Sequence, residues 1–395
     1  MKYCVLIMDG AAGLPLPDHG GKTSLELAHT PNLDTMAEAG TVGLAYMVPK
    51  GMEPDSAVAC MSIFGYDPIV YYSGRAPIEA MSLHIPVNPG EALFRCNLVT
   101  IQNGLMVSHS AGSINTAEAH ELVEALNKAI SDEYIHIYPG ISYRSILRLK
   151  DAVETTQALC TPPHDIPGKP AAEYLPRGTG SKLLLDLMTR SQEVLKNHPV
   201  NKQRIARGEL PATSIWLFWG SSRIPTMPSF QATYHRKAAV TSGVSLLRGL
   251  GKMSGMTILE IQGVTDGLDN DYTAQVKGAL DTLNDYDIVI IHIEAPDEAG
   301  HAGSVKEKVA AVEKIDELVL RQVRDWRGDK LRVLVTADHP TPISIRTHTD
   351  DPVPFLIWGN SSNPNGAKRL TESDAKRTGL IINPGWNIMH RLVGE

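Results

Sequence analysis

Three apolar runs of this chain each lead to an aspartate. Unbroken apolar runs are typical of parallel strands that are buried on both faces. In open α/β sheets the chemistry lies outside the carboxyl ends of such strands, so side chains that follow them are predicted to share one site. The runs cover residues 3–8, 287–293 and 331–336, and the aspartates beyond them are Asp9, Asp297 and Asp338.

Three histidines accompany these aspartates. His301 follows Asp297 by four residues, so both share a helix face and can chelate one ion if a helix begins there. His339 follows Asp338 directly, and His348 lies in the loop beyond. Carboxylate and imidazole ligands without thiolate suit Mn²⁺, Zn²⁺, Co²⁺ or Mg²⁺. A turn is the ordinary alternative for any one of these aspartates and a buried imidazole for any one histidine, but the whole set favours metal binding.

The composition excludes several kinds of partner. The 395 residues are 43% apolar and fit two domains, and a formal net charge of −7 without basic clusters argues against nucleic acid. No apolar stretch approaches the roughly 18–20 residues needed to cross a bilayer, so no membrane partner is predicted. The four cysteines are far apart and no signal-peptide pattern precedes the first strand, which predicts a reduced, cytoplasmic protein.

The chain is predicted to form an α/β domain with an insertion. Residues 1–84 and 235–395 alternate strand and helix patterns, which predicts one doubly wound, mostly parallel sheet built from both ends of the chain. Residues 85–234 contain shorter alternating runs and amphipathic segments instead, which predicts an inserted α+β cap.

Ser56 is the candidate nucleophile. It begins a small, apolar segment over residues 56–65 that predicts a short buried helix. Backbone N–H groups at a helix start would stabilise a phosphate carried by the Ser56 hydroxyl. The alternative is an ordinary N-cap serine. With Asp9 and Ser56 added, the candidate ligands suffice for two ions, an arrangement that clamps the attacking and leaving oxygens in phosphoryl transfer.

These motifs together resemble cofactor-independent phosphoglycerate mutase of the archaeal type, a family of the alkaline phosphatase superfamily. The resemblance runs through nearly the full length and includes residues 161–166 and 215–220 of the insert. Its motifs are Met8-Asp9-Gly10, Ser56 ahead of Gly65-Tyr66-Asp67-Pro68, Gly74-Arg75-Ala76-Pro77, Glu294-Ala295-Pro296-Asp297-Glu298-Ala299-Gly300-His301, Ala337-Asp338-His339-Pro340-Thr341-Pro342 and Arg346-Thr347-His348-Thr349.

The resemblance implies a phosphoserine mechanism that needs no 2,3-bisphosphoglycerate. Ser56 would take the phosphoryl group from 2- or 3-phosphoglycerate and return it to the other hydroxyl, in the presence of two divalent ions, most readily Mn²⁺. The implied ligands are Asp9, Ser56, Asp338 and His339 for one ion and Asp297, His301 and His348 for the other.

The insert is expected to bind the small, anionic, phosphorylated substrate. Guanidinium groups grip phosphate and carboxylate in a bidentate manner, and the resemblance favours Arg144, which we expect to face the metals, and Arg223. A solvated surface charge is the alternative for each residue. Further substrate contacts implied by the resemblance are His164, Asp165, Arg75 and Lys237.

Some positions depart from the family pattern and leave other functions open. The departing residues affect how glycerate would be recognised. They are Ala57, Cys60, Ser113 and Ser145. A phosphotransferase acting on homoserine or a metal-dependent phosphatase would use the same core. A metal- and phosphate-binding protein without catalysis is an alternative of another class. The sequence also leaves open whether the chain forms a homo-oligomer.

Overall fold

The structure is a computed structural model that describes residues 1–394. Its strands are β1 (Lys2–Met8), β2 (Thr41–Ala45), β3 (Glu91–Gln102), β4 (Leu105–Ser108), β5 (Ile135–Pro139), β6 (Arg144–Lys150), β7 (Ser214–Ser221), β8 (Ala238–Thr241), β9 (Thr257–Ile258), β10 (Ile288–Ile293), β11 (Leu331–Thr336), β12 (Val353–Gly359) and β13 (Ile381–Ile382).

The α-helices alternate with these strands through most of the chain. Within the described residues, none is both long enough and apolar enough to span a membrane. They are α1 (Ser24–Leu27), α2 (Pro31–Glu38), α3 (Ser56–Ile63), α4 (Pro68–Tyr71), α5 (Arg75–Ser82), α6 (Thr116–Ile130), α7 (Ser181–Lys196), α8 (Pro199–Ala206), α9 (Phe230–Tyr234), α10 (Ser245–Met253), α11 (Tyr272–Thr282), α12 (Ala295–Ala302), α13 (Val305–Lys314), α14 (Arg321–Asp325), α15 (Glu372–Thr378) and α16 (Asn387–Val393).

The chain divides into two compact units. The core unit contains residues 1–72 and the chain from Met227 onward, and the insert contains Ser73–Thr226. The sequence analysis placed the boundaries after residues 84 and 234, so two short helices belong to the other unit. Helix α5 packs its Ala76 and Ala80 with Leu93 of the insert sheet. Helix α9 belongs to the core unit, where the Tyr234 hydroxyl donates to the Gly65 carbonyl.

The core unit is built on an eight-stranded sheet in the order β13-β2-β12-β11-β1-β10-β8-β9. The strands from β11 through β9 run parallel, whereas β12 is antiparallel to both of its neighbours. The predicted α/β fold with a mostly parallel sheet is therefore confirmed. Met8 pairs with Ile293 and Ile7 with Thr336, so the carboxyl ends of β1, β10 and β11 meet at one edge.

The insert is built on an antiparallel sheet centred on the long strand β3. Strands β6, β7 and β4 all pair with β3, and β6 and β7 lie on its opposite sides. Successive side chains of β3 point to opposite faces. Phe94 and Cys96 lie in the main core of the insert with residues of α6 and α7. Arg95 and Asn97 therefore point to the opposite face, which also carries Leu93.

Candidate metal centre and anion-binding face

The edge where β1, β10 and β11 end collects the predicted ligands of the core unit. Asp9 follows β1 and Asp338 follows β11, separated from it by one residue. Helix α12 begins with Pro296 in its first turn, where the missing N–H costs no hydrogen bond, and so places Asp297 and His301 one turn apart. All three aspartates are buried. The predicted edge site is thus assembled as parallel strand geometry requires.

Four of these side chains form a first ligand cluster, comprising Asp9, Ser56, Asp338 and His339. Nε2 of His339 lies 3.6 Å from Asp9 Oδ1, 3.3 Å from Asp338 Oδ2 and 3.2 Å from Ser56 Oγ. The other Asp338 oxygen accepts the backbone N–H groups of Gly10 and His339. Asp338 is thereby oriented, and its Oδ2 faces the cluster.

The remaining three ligands form a second cluster, comprising Asp297, His301 and His348. Nε2 of His301 lies 3.1 Å from Asp297 Oδ2, and Nε2 of His348 lies 3.5 Å from Asp297 Oδ1. The two Nε2 atoms are 3.0 Å apart. The rings of His339 and His348 stack with their centroids 3.9 Å apart, so the two clusters are adjacent.

The Nδ1 atoms of His301 and His348 indicate that the second cluster fits a metal ion. Nδ1 of His301 lies 3.0 Å from the Arg346 carbonyl, and Nδ1 of His348 lies 3.2 Å from the Pro54 carbonyl. A carbonyl only accepts, so both Nδ1 atoms carry a proton, and Nε2 of each ring is the inward-facing atom that can bind a metal ion. This outward hydrogen bonding is typical of metal-bound histidine.

The charges of the clusters support the same interpretation. Burial raises the pKa of Asp9 well above its ordinary value, and the charges of Asp338 and Asp297 raise it further. The hydrogen bond to Asp297 raises the pKa of His301 to about 9. Oδ1 of Asp9 has no hydrogen-bond partner among the described residues. Carboxylates crowded in this way are stabilised by divalent cations, and divalent metal use fits this donor set.

Ser56 is the first residue of α3 and does not cap it. The cap is Asp55, whose side chain accepts the N–H of Ala57. The Ser56 hydroxyl instead points to Nε2 of His339 in the first cluster. Cys60, one turn later, is fully buried with its thiol 3.7 Å from Asp338 Oδ2. The N-cap alternative for Ser56 is therefore wrong, and its hydroxyl is available for chemistry.

The sequence analysis missed several polar residues around these clusters. His292 lies in β10 and Glu294 directly follows that strand, and with Asp9 they form a third group of ligand atoms. Thr341 donates to Asp297 Oδ1 and lies 3.3 Å from His339 Nδ1, so it connects the two clusters. A polar residue inside an apolar strand was the available signal for His292. Thr341 carried none.

The insert gathers cationic and aromatic side chains on the sheet face that Arg95 occupies. Arg95 is buried and donates to Glu79 at 2.5 Å, while its Nε has no hydrogen-bond partner in the described chain. Its guanidinium lies over the rings of Phe218 and Trp219. Asn97, two residues along β3, donates to the His109 carbonyl and leaves its own oxygen unpaired. None of Arg95, Asn97 and His109 was predicted.

Most of the predicted substrate contacts lie in the insert. Arg75 stacks over Trp219 at 4.5 Å, and the His164 ring lies 5.4 Å from the same indole. Arg144 begins β6 and lies over Tyr143 at 4.9 Å. Two others, Asp165 and Arg223, are exposed. Together with Arg95, the three residues Arg75, Arg144 and His164 form what we call the cationic face of the insert.

Lys237 does not lie at the metal edge. It precedes β8 at the amino-terminal end of the sheet, where its backbone pairs with Asp287 ahead of β10. Its ammonium is 4.1 Å from the centre of the Tyr286 ring. The predicted ligands lie beyond the carboxyl ends of the same strands. Its assignment as a substrate contact is therefore corrected, because strand direction places it at the opposite edge.

The chain is similar to proteins of one named family. A family profile described as "2,3-bisphosphoglycerate-independent phosphoglycerate mutase" matches residues 37–201. A relative from Methanothrix thermoacetophila with that name is 45% identical over 396 residues, covering 100% of both chains.

Two solved structures are similar over the whole chain. The PH0037 protein from Pyrococcus horikoshii is 27% identical with a TM-score of 0.83, and the match covers 100% of this chain and 97% of that one. A cofactor-independent phosphoglycerate mutase from Thermoplasma acidophilum is 25% identical with a TM-score of 0.65, covering 100% and 99%. The fold is thus shared along the entire length.

Proposed function

The chain belongs to the 2,3-bisphosphoglycerate-independent phosphoglycerate mutase family. We propose that it interconverts 2- and 3-phosphoglycerate through a phosphate ester on Ser56. The family membership gives the reaction, an isomerisation of a small phosphorylated substrate. The single observation that carries the proposed route is the Ser56 hydroxyl, which lies in the first ligand cluster and is not used as a helix cap.

Both clusters are proposed to hold divalent metal ions. Asp9, Ser56, Asp338 and His339 would hold one ion, and the second would be held by Asp297, His301 and His348. Mn²⁺ is the proposed metal, since a set of carboxylate and imidazole donors without thiolate suits it. When bound, the ions would neutralise the oxygens of the transferring phosphoryl group and lower the pKa of the serine hydroxyl.

The residues of the core unit would carry out two displacements. In the first, Ser56 Oγ forms a bond to phosphorus, the bond from phosphorus to the glycerate oxygen breaks, and that oxygen takes a proton while Ser56 loses its own. In the second, the other glycerate hydroxyl attacks the phosphoserine and the proton changes are reversed. The N–H groups at the start of α3 are oriented to stabilise the phosphate on Ser56. No phosphate donor is consumed, so no bisphosphate is needed.

The insert is proposed to hold glycerate between the two displacements. The cationic face offers planar guanidinium groups that match carboxylate and phosphate oxygens. Arg95 supports this role, because burying a guanidinium with an unpaired Nε costs free energy unless an anion completes its hydrogen bonds. Glycerate retained in this way would be rephosphorylated before water reaches the phosphoserine.

The test is to trap the phosphoserine. Metal-loaded protein is mixed with 3-phosphoglycerate carrying ³²P, quenched in acid and digested, and the labelled peptide is identified by mass spectrometry. We expect label on the peptide with Ser56, and none in Ser56→Ala, whose turnover should fall by on the order of 10³-fold or more. Ser62→Ala is the matched control, since this buried hydroxyl on the same helix donates to the Met47 carbonyl.

A labelled Ser56→Ala protein, or one with full activity, would refute the route. The fate of the phosphoryl group distinguishes the mutase route from the phosphotransferase and phosphatase alternatives. Transfer to added homoserine, or release of inorganic phosphate at the rate of label loss, would show that the phosphoserine forms but serves another acceptor.

A further inference from the structure

His292 is a buried histidine on β10, which lies between the parallel strands β1 and β8. The residue pairs in register with Ile7 of β1, and its side chain is fully buried. Its backbone carbonyl accepts a hydrogen bond from Gln275 of α11. The ring position is therefore fixed by the sheet, and the ring lies between Asp9 on one side and Ser242, which follows β8, on the other.

The hydrogen-bond directions around this ring can be assigned. Ser242 Oγ accepts the backbone N–H of Val244 and lies 3.0 Å from Nδ1 of His292. Its hydroxyl proton is thus available for Nδ1. Nε2 of His292 lies 2.7 Å from Asp9 Oδ2, a distance that requires a proton between an imidazole nitrogen and a carboxylate. A metal ligand must be an ionised carboxylate, which only accepts, so in that state the proton lies on Nε2 of His292 and the chain of donors runs from Ser242 through His292 to Asp9.

This chain occupies one oxygen of Asp9 and leaves the other for the first ligand cluster. Oδ2 accepts from His292, whereas Oδ1 has no hydrogen-bond partner among the described residues and lies 3.6 Å from Nε2 of His339. We propose that His292 is a positioning residue that fixes the rotamer of Asp9 so that Oδ1 faces the metal, with Ser242 fixing the tautomer of His292. The inference rests on the proposed role of Asp9 as a metal ligand.

A third metal site at Asp9, His292 and Glu294 is the competing explanation, because ligand atoms of all three lie close together. The hydrogen bond from His292 to Asp9 opposes it. Glu294 Oε2 is 3.7 Å from Nε2 of His292, but that nitrogen already donates to Asp9 and has no lone pair for a cation. A histidine that donates to a ligating carboxylate instead fixes the orientation of that ligand, since ligating carboxylates are themselves held by hydrogen bonds.

The test measures binding of Mn²⁺ alone to the full-length, metal-free protein. Mn²⁺ is titrated by calorimetry and free Mn²⁺ is followed by electron paramagnetic resonance, with 3-phosphoglycerate turnover as a second readout. We expect His292→Leu to weaken one of two Mn²⁺ sites by about 10- to 100-fold and to leave the other unchanged. His292→Gln, whose amide nitrogen can donate to Asp9, should recover most of that loss. Ser242→Ala should give a smaller loss at the same site.

Asp9→Asn separates this inference from the function on which it rests. If Asp9→Asn leaves both Mn²⁺ sites unchanged, Asp9 is not a ligand and the proposed function is wrong in its ligand set. If Asp9→Asn removes one site but His292→Leu and Ser242→Ala bind Mn²⁺ as the wild type does, only the positioning role is refuted. A third Mn²⁺ equivalent in the wild type that His292→Leu removes would favour the metal-site explanation instead. Should His292→Leu fail to fold, Ser242→Ala and His292→Gln decide the question.

Discussion

The two units of this protein concentrate charge in opposite ways. The core unit places buried carboxylates and imidazoles at one edge of a parallel sheet, where the ends of three strands meet. The insert places arginines on one face of an antiparallel sheet, stacked on aromatic rings. Anionic ligands at a sheet edge suit cations, whereas a cationic face suits an anionic substrate. The proposed function accordingly assigns the chemistry to the core unit and substrate recognition to the insert.

The largest effect should follow from a change at the second cluster. His348→Ala removes one of three ligands, so we expect one of two metal ions to be lost and turnover to fall by more than about a hundredfold, the upper end of what even outer-shell partners cost. Hydrolysis of a small aryl phosphate should fall equally, since it uses the same core. Metal content by mass spectrometry and both rates provide the check. One metal equivalent in the wild type, with a harmless His348→Ala, would contradict the two-ion site.

A change in the insert should separate the two activities. Arg144→Ala removes a guanidinium from the cationic face, and a hydrogen bond to a charged group contributes about 1.5–3 kcal/mol. We therefore expect the interconversion of 2- and 3-phosphoglycerate to slow by about 10- to 150-fold, while hydrolysis of the aryl phosphate changes little. Steady-state kinetics with both substrates test this expectation.

Arg190 provides the matched control for Arg144. It lies on α7 of the insert, away from the cationic face, and is exposed with its side chain near Asp186. Arg190→Ala should leave both activities unchanged. Equal losses of both activities in Arg144→Ala would show that the insert acts on the core chemistry itself, and the division between the two units would then fail.

The sequence was informative about the core unit because strand ends are visible in it. Apolar runs that end at Asp9 and Asp338 predict both the sheet and the edge where the site forms, and the structure confirms the sheet. The same reasoning failed for His292, because an apolar strand with one polar residue does not reveal which face or partner that residue has. Thr341 was invisible for another reason. Its contact with Asp297 joins the loop after β11 to helix α12, and only the tertiary fold brings these two segments together.

The insert was less predictable. In the segment Leu93-Phe94-Arg95-Cys96-Asn97 the alternation shows that Arg95 and Asn97 share a face, but it does not show whether that face is solvent or a buried cluster. Arg95 is buried because α5 covers this face and supplies Glu79. The sequence analysis assigned α5 to the core unit, so that partner could not be anticipated.

A smaller effect should follow from loss of the link between the two clusters. Thr341→Val keeps the shape of the side chain but removes the hydroxyl that donates to Asp297 and lies next to Nδ1 of His339. Outer-shell partners of this kind contribute about 10- to 100-fold in metal affinity or activity, and we expect a value near the low end because both ligands keep other contacts. Unlike His348→Ala, it should weaken both Mn²⁺ sites in a calorimetric titration. Thr341→Ser, which keeps the hydroxyl, should bind Mn²⁺ nearly as well as the wild type.

Buried cations also differ between the units. Arg95 of the insert is paired with Glu79, whereas Lys308 of the core unit donates, among the described residues, to the carbonyls of Ala12 and Thr341. Both residues are nearly or fully buried. Burial lowers the pKa of Lys308 to about 8 from its ordinary 10.5, although Asp297 and Glu372 favour the charged form. A buried cation that donates to carbonyls is therefore expected to lose its proton first.

The smallest expected effect is a change in the pH dependence of stability. Between pH 8 and 10.5 Lys308 is mostly neutral in the folded protein and mostly charged in the unfolded chain, so the unfolded state binds more protons and stability rises with pH. Below pH 8 the cost of burying the charge is fully present. The free energy of unfolding of the metal-free protein is measured with denaturant across this range. The wild-type value, taken relative to that of Lys308→Met, should rise by up to about 3 kcal/mol. Arg95→Met should show no such change, because arginine stays charged throughout. Parallel pH profiles for wild type and Lys308→Met would mean that the buried ammonium retains its ordinary pKa, and the contrast between the two buried cations would disappear.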